Sequence, residues 1–414
     1  MLPLDSSTLD RASAADPQWL AERRKRAFDV FSGLELPSER EEVWRYVELD
    51  LDLSSYAIPQ PNGSASSDGP RAAATIVDGA VVAATGGTHR LAEALAASPD
   101  RIEEIYGSLI PVDDDIFTAA HHAFASDAVV VSVPAGEAIA DPIRVDVRAS
   151  AEGGISFPHL LLDAADGSQA SVVVEYSSPH DLNALVAPHI EVLTGANTNL
   201  SVTIVQNWGY ATTALSQCHV GVGRDSSFTL AEAGLGGSLA RLRLTVDLVG
   251  RGSSATVLGA YFGEQTQLLD YRYFMRHVGE NTRSDMFLKG AVEDEALSVF
   301  TGMIRIEESA QKTDAFQTNR NLILSEGAAA QSVPNLEILA NDVRCGHGST
   351  VGPLDAEQRY YLMSRGLDRQ RSDRLQVHGF FEEVLSRFPE RAVAGPVRDA
   401  INAKYVAAQR EGRV

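Results

Sequence analysis

The stretch His189-Ile-Glu-Val-Leu-Thr-Gly195-Ala-Asn-Thr-Asn-Leu200-Ser-Val-Thr-Ile204 decides the fold that we predict from this sequence. Two runs rich in β-branched and aliphatic residues flank a polar turn that contains a glycine. Such runs are typical of short β-strands, and glycine and asparagine are typical of the turns between them. The same order of strand, glycine turn and strand recurs on both sides of this stretch, between about residues 127 and 339.

The turn glycines recur at a nearly constant interval. Gly167, Gly195, Gly223, Gly250 and Gly279 follow one another at steps of 28, 28, 27 and 29 residues. A fixed period in this range is typical of repeat architectures. Because little helical sequence separates the strands, we predict a mainly β fold, a β-solenoid of about seven coils stacked ~4.8 Å apart. The alternative is a meandering β-sandwich, in which turns are usually spaced less regularly.

Helical patterns precede and follow the repeat. Residues 75–82 interrupt the first of them with a hairpin signal, Asp-Gly between β-forming residues. Residues 59–71 are polar and rich in turn-forming residues, which predicts a mobile loop. We therefore predict an N-terminal helical domain with a small hairpin over 1–125, a β-helix core over 126–345 and a C-terminal helical domain over 346–414.

The charge balance excludes some classes of function. The 414 residues include 35 Lys and Arg against 56 Asp and Glu, a formal net charge of −21 at pH 7. A protein this acidic repels nucleic acid and anionic membranes, and no apolar stretch is long enough to span a bilayer. The first residues lack the pattern of a secretory signal. Because two cysteines provide no disulfide framework, we expect a cytoplasmic protein.

A second informative segment follows the repeat: Asn341-Asp-Val-Arg-Cys345-Gly-His347-Gly-Ser-Thr-Val-Gly-Pro-Leu-Asp355. On an extended strand, residues i and i+2 point to one face, so Cys345 and His347 present sulfur and nitrogen to one site. Zinc, copper(I) and iron–sulfur units accept this ligand pair. Two ligands do not close a tetrahedral site, so either a partner supplies the others or the site is open. A buried cysteine beside a hydrogen-bonded histidine is the alternative interpretation.

The position of this segment suggests an interface. A solenoid leaves a free strand edge at its end, and such an edge must be capped or it pairs with another chain. Cys345 lies where the last coil is expected to finish, which makes its strand a candidate edge for a second subunit.

The other histidines give weaker signals. His159, His189 and His219 precede their turn glycines by even numbers of residues, which predicts a shared face, although hydrogen bonding in ordinary strands explains them equally well. We expect His121 and His122 to lie on the surface. The sequence contains no P-loop, no Gly-x-Ser-x-Gly and no His-Glu-x-x-His motif, so it lacks the corresponding nucleotide-binding and hydrolase signatures.

Three stretches resemble a known family. They are Glu42-Val-Trp44-Arg-Tyr46-Val-Glu-Leu, the segment 341–355 quoted above, and Tyr361-Leu-Met-Ser-Arg365-Gly366. With the repeat between them, the chain resembles the SufB/SufD family of iron–sulfur cluster assembly scaffolds, and within it the SufD branch. The likeness covers most of the chain. Gly346 and Ser349 depart from the Ser and Ala of the family pattern without changing the ligand chemistry.

The resemblance implies a right-handed parallel β-helix between two helical domains. It implies a non-catalytic scaffold subunit that joins SufB through the end of its β-helix and docks the ATPase SufC on its C-terminal helices. By motif match, His347 and Cys345 would contact a transient iron–sulfur cluster shared with SufB, and the isolated chain would hold no permanent cofactor. We expect the partner-binding side chains to be Tyr361, Arg365, Phe380, Phe381 and Val384.

Two other functions remain open from the residues alone. A β-helix carbohydrate lyase or hydrolase would need carboxylates projecting from adjacent coils into a cleft, and no clustered Asp pair recurs at the 28-residue interval. A homo-oligomeric structural protein, for example a homodimer of the isolated chain, would use the same terminal edge.

Overall fold

The computed structural model describes residues 1–60 and 72–412. Most of the predicted mobile loop over residues 59–71 therefore lies outside the described residues. Within the described ranges, helices at both termini flank a long β-rich middle. None of the described helices is both long and apolar enough to cross a lipid bilayer.

The N-terminal region combines short helices with the predicted hairpin. Its elements are α1 (Ser6–Ser13), α2 (Gln18–Gly33), 3₁₀ turns at Glu42–Trp44 and Leu53–Ser55, β1 (Ala74–Val77), β2 (Ala80–Ala84), β3 (Thr88–Arg90), α3 (Leu91–Ala97), α4 (Pro99–Ile105) and α5 (Ile116–Phe124). Strands β1 and β2 pair antiparallel. Asp78 and Gly79 between them have φ of 51° and 85°, as the favoured two-residue hairpin turn requires.

The middle of the chain forms a parallel β-solenoid. Its strands are β4 (Val129–Val133), β5 (Ile143–Arg148), β6 (Gly154–Ser156), β7 (His159–Ala164), β8 (Gln169–Ser177), β9 (Ala184–Val186), β10 (His189–Thr194), β11 (Asn199–Asn207), β12 (Thr213–Val222), β13 (Ser227–Gly234), β14 (Leu239–Leu248), β15 (Ser254–Gly263), β16 (Leu268–His277), β17 (Arg283–Val292), β18 (Leu297–Ile306), β19 (Asp314–Ile323), β20 (Ala329–Ile338) and β21 (Arg344–Gly352).

These strands form two sheets that run along the whole stack of coils. One sheet has the order β2-β1-β5-β8-β11-β13-β15-β17-β19-β21, and the other has the order β20-β18-β16-β14-β12-β10-β7-β4-β3. Each coil gives one strand to each sheet, which makes about eight coils rather than the expected seven. The parallel pairing between coils confirms the solenoid and excludes the meandering sandwich.

Apolar rows running from coil to coil hold the solenoid together. In one of them, Val202 pairs with Val172 on one side and with Leu230 on the other, and Val257 and Met286 continue the row. All five side chains are fully buried in one continuous core. Burial of such a side chain stabilises the fold by roughly 1.5–3 kcal/mol, so each coil gains from its neighbours stability that it lacks alone.

The turn glycines are needed because successive turns touch. A Cβ atom added at Gly223 would lie 2.1 Å from the carbonyl oxygen of Gly195 in the preceding coil. At the far end of the stack, a Cβ added at Gly352 in β21 would meet nothing within 4 Å. The close contact at Gly223 therefore arises because one coil stacks on the next.

We predict that Gly223→Ala lowers the free energy of unfolding by roughly 1–3 kcal/mol, the usual cost of overpacking. The matched control Gly352→Ala should leave it nearly unchanged. Thermal unfolding followed by far-UV circular dichroism measures both. Equal midpoints for the two variants would show that contact between turns does not limit the stacking.

Helices cover the two sheets from outside. After β21 come α6 (Ala356–Ser364), α7 (Arg369–Leu385) and α8 (Arg391–Glu411). Phe381 and Val384 of α7 pack on Leu258 and Phe287 of the first sheet. The N-terminal helices cover the second sheet, where Phe117 of α5 contacts the aromatic ring of Trp44. Strand β21 ends at Gly352, so the last strand of the solenoid extends past the predicted core boundary at residue 345. The division into three domains stays a prediction.

One acidic side chain lies inside the solenoid. Glu232 of β13 is 3% exposed and accepts a hydrogen bond from the hydroxyl of Tyr273. Burial raises the pKa of Glu232 from its ordinary value of 4.5 to about 8, although the Tyr273 hydrogen bond opposes that shift. The folded protein therefore holds this carboxyl protonated at neutral pH, whereas the unfolded chain ionises it.

This difference predicts a pH-dependent cost to stability. Between pH of about 4.5 and about 8, the unfolded state binds fewer protons at Glu232 than the folded state, so this group lowers stability as the pH rises. We predict that the stability of Glu232→Gln relative to the parent protein increases through that interval and then levels off. Melting temperatures measured across the pH range test this, with the exposed Glu326→Gln as control. A constant difference would contradict the protonated state.

Candidate functional site

Both sheets finish at the same end of the solenoid with a strand that has one free edge. Among the described strands, β20 pairs only with β18, and β21 pairs only with β19. One edge of each therefore presents unused backbone N–H and C=O groups. We call the free edges of β20 and β21, with the side chains of this last coil, the open end.

Cys345 and His347 lie on β21 at the open end. In the parallel register, Cys345 stands beside Ala315 and His347 beside Gln317, both of which are buried in the interior. The pair therefore points toward the interior face of the last coil, on one side of the strand as the i, i+2 spacing predicts. Cys345 is half-buried against the core, whereas His347 is exposed.

Cys345 and His347 suit a metal ion that displaces the proton of the Cys345 thiol. Burial raises the pKa of the Cys345 thiol, while the N–H of Gly346 acts in the opposite direction. The thiol is therefore protonated near neutral pH, and a bound metal would have to convert it to the thiolate. Among the described residues, no third His, Cys, Asp or Glu joins Cys345 and His347 within ligand distance. The described residues thus leave the remaining ligand positions of this pair unfilled.

Apolar side chains are exposed around the same end. Ile338 at the end of β20 is 42% exposed and Val351 of β21 is 45% exposed. In register, Ile338 continues from Ile306, which is fully buried one coil earlier. Equivalent positions in neighbouring coils are thus buried inside the stack and exposed in its last coil. A further coil, or a partner that mimics one, would cover it.

The C-terminal helices divide the expected partner-binding residues into two groups. Tyr361 and Arg365 are exposed on and beside α6, and the Arg365 guanidinium lies 5.1 Å from the Tyr361 ring centre. Phe380 is half-buried beside Lys289. Phe381 and Val384 are buried against the solenoid, so they hold α7 in place and are not available to a partner in this structure. The partner-binding role stays a prediction.

The expectation that His121 and His122 lie on the surface is wrong. His121 is fully buried and His122 is partly buried, because α5 packs between the other N-terminal helices and the second sheet. Burial, and then the neighbouring His159, lower the pKa of His121 well below its ordinary value. The sequence around it, Ile116-Phe-Thr-Ala-Ala-His-His-Ala-Phe124, is apolar on all sides, which is typical of a buried helix and was the available signal.

The strand histidines share one face, as their spacing predicts. His159 and His189 are direct neighbours in register, whereas His219 stands beside Glu191 and contacts Asp247 at 3.0 Å. The structure thus brings His159 and His189 together with His121 of α5. Ligand atoms of these three all lie within 4.8 Å of one another, a group that sequence reasoning did not identify.

Comparison with known proteins identifies the family. Residues 147–380 match the family model described as SUF system FeS cluster assembly, SufBD core domain. An iron–sulfur cluster assembly SufBD family protein of Mycobacterium leprae is 31% identical, over 87% of this chain and 88% of the relative. The iron–sulfur cluster assembly proteins SufD of Bacillus subtilis and Escherichia coli are 29% and 25% identical. They cover 71% and 84% of this chain, and 68% and 84% of their own lengths.

The matched residues, 147–380, make up more than half of the chain. They include most of the solenoid and the first part of the C-terminal helices. The named relatives and the β-solenoid with terminal helices point the same way. The chain therefore belongs to the SufBD family of the SUF iron–sulfur cluster assembly system, and its relatives include proteins named SufD.

Proposed function

We propose that this chain is a non-catalytic scaffold subunit that offers Cys345 and His347 to a nascent iron–sulfur cluster at an interface with a SufB subunit. The single observation that carries the proposal is the open end, where an exposed imidazole and a half-buried thiol point inward from a strand with a free edge. The cluster is transient cargo, and its remaining ligands come from the partner.

The physical chemistry of the open end supports pairing with another β-helix. Free N–H and C=O groups on β20 and β21 bind a further pair of strands through main-chain hydrogen bonds. Ile338 and Val351 gain burial at the same time. A second β-helix that meets this end would complete the interior face, and its side chains would approach Cys345 and His347 from the missing coil.

The ligand types support release as well as binding. Thiolate is the usual ligand of iron–sulfur clusters, and replacement of thiolate by imidazole occurs in a smaller class of centres. A site that is partly imidazole and shared between two chains opens when the chains separate. Family membership favours this assembly role over the carbohydrate enzyme considered from the sequence.

The C-terminal helices are the proposed docking surface for the ATPase SufC. Tyr361 and Arg365 supply an exposed aromatic and a cation side by side, residue types that are enriched among binding hot spots. Only three residues separate the end of β21 from the start of their helix, α6. A movement of α6 driven by ATP hydrolysis in the partner would therefore act close to the open end.

We predict that His347→Ala lowers the yield of assembled cluster about tenfold or more in a reconstitution with the SufB and SufC subunits, because a ligand is lost. His89→Ala is the matched control, since His89 is an exposed strand histidine on β3 at the other end of the solenoid. Iron and sulfide analysis, with the absorbance of the cluster, gives the yield.

Size-exclusion chromatography of the same samples separates a loss of chemistry from a loss of assembly. The proposed role requires that His347→Ala still forms the complex. Unchanged cluster yield in this variant would refute the role of His347. Self-association of the chain in place of binding to SufB would favour the homodimer instead.

For the docking surface, we predict that Tyr361→Ala weakens binding to SufC about tenfold, the cost of one aromatic hot spot. Tyr46→Ala is the matched control, because Tyr46 is also exposed and has the Arg45 guanidinium 5.5 Å from its ring centre. Isothermal titration calorimetry measures both affinities. Equal affinities of the two variants would place the ATPase elsewhere on the chain.

A further inference from the structure

Three histidines meet where the N-terminal helices cover the solenoid. His121 comes from α5, His159 from β7 and His189 from β10, and all three are at most 1% exposed. We call them the three-histidine group. They lie on the outer face of the second sheet, so this group is separate from Cys345 and His347 at the open end.

The ring nitrogens of two members are oriented by fixed acceptors. Nδ1 of His121 lies 2.8 Å from the carbonyl oxygen of Ala187, which can only accept a hydrogen bond. Nε2 of His159 lies 3.2 Å from a carboxylate oxygen of Glu191, an ion-pair contact whose angles do not meet hydrogen-bond geometry. The carbonyl fixes the proton of His121 on Nδ1, and the charge of the nearby carboxylate favours a proton on Nε2 of His159.

This arrangement leaves two lone pairs facing each other. With Nδ1 of His121 and Nε2 of His159 protonated, the remaining nitrogens of both neutral rings are acceptors, and they lie 3.0 Å apart. Two acceptors at that distance repel unless a cation lies at or near the line between them. Nδ1 of His189 is buried nearby, and among the described residues it has no hydrogen-bond partner. The His189 ring stacks on His121 with centres 3.5 Å apart.

The buried negative charge of Glu191 favours a cation within the three-histidine group. Its carboxylate is fully buried and accepts the N–H groups of Gly107 and Leu109 at 2.7 and 2.8 Å. Within the described ranges, no Lys or Arg forms an ion pair with it, and His159 is its one ion-pair partner. A buried carboxylate is costly unless positive charge lies close by, directly or through a hydrogen-bonded ligand.

We propose that the three-histidine group binds one divalent late first-row metal ion of the Zn²⁺ type. Its ligands are Nε2 of His121, Nδ1 of His159 and a nitrogen of His189. The Ala187 carbonyl and the Glu191 carboxylate hold the far side of the first two rings, as outer partners of metal-bound histidines do. Coordination by all three turns the His189 ring out of its stack on His121. The ion joins α5 to two coils of the solenoid and is structural.

A surface crevice comes close to the three-histidine group. The crevice has a volume of about 420 Å³, and Tyr106 and His122 form part of its wall. Tyr106 stacks on His159 with ring centres 4.6 Å apart, and the His122 ring lies 5.5 Å from that of His189. One layer of side chains thus separates the crevice from the three-histidine group.

The test begins with the full-length protein, stripped of metal with a chelator and then titrated with Zn²⁺ alone. We expect about one tightly bound equivalent per chain by elemental analysis after gel filtration, and a melting temperature raised by several degrees. Co²⁺ in place of Zn²⁺ should give the intense visible d–d absorption of a low-symmetry nitrogen site. Protein that binds no equivalent and shows no shift overturns the proposal and leaves a proton shared by the two rings as the cation.

Variants locate the site. His189→Gln should lose the tightly bound equivalent and the Co²⁺ spectrum, and its melting temperature should no longer respond to Zn²⁺. The matched control His180→Gln changes an exposed histidine that pairs with Asp181, and it should keep all three signals. Full Zn²⁺ binding in His189→Gln would place the metal elsewhere and refute the assignment. Because the parent protein provides the primary measurement, the test does not depend on how well this variant folds.

Discussion

The stacking of one coil on the next, in register, is the constraint on which the rest of this structure depends. Each interior side chain is covered by the equivalent side chain of two neighbours, as Val202 is by Val172 and Leu230. No coil buries its own apolar face. The fold is therefore as stable as its interfaces between coils, and a coil without a neighbour carries the exposed surface that such an interface would remove. The last coil, where the candidate cluster ligands lie, is a coil of this kind.

Both the fold and the candidate site were accessible from the sequence where the signal was local. The interval between Gly195 and its equivalents predicts the solenoid, because turns that touch admit no side chain. The i, i+2 spacing of Cys345 and His347 predicts their common face, because a strand alternates with a period of two. The end of the repeat also predicts that their strand is an edge, which the sheet order confirms.

What the sequence did not reveal depends on segments that meet only in the folded chain. The apolar stripe of Phe381 and Val384 is visible at helical spacing, but its spacing does not say whether the solenoid or another protein covers it. His121 lies 38 residues before His159 along the chain, and no periodicity connects a helix with a distant strand. The even offsets of the strand histidines identified a face, yet the register that pairs His159 with His189 and moves His219 beside Glu191 follows from the lengths of the intervening turns.

The two ends of the solenoid are not alike, and the difference limits how many chains can join. At the beginning, the outermost strands are β2 and β3, which run antiparallel to their neighbours and are only five and three residues long. Short reversed strands are poor templates for another parallel coil. Within residues 1–60 and 72–412, a chain that has paired through its last coil therefore offers no second parallel edge of the same kind. If two chains joined through their last coils, association by this route would stop at two subunits and would not continue into a filament, although every coil is built from the backbone pairing that fibrils use.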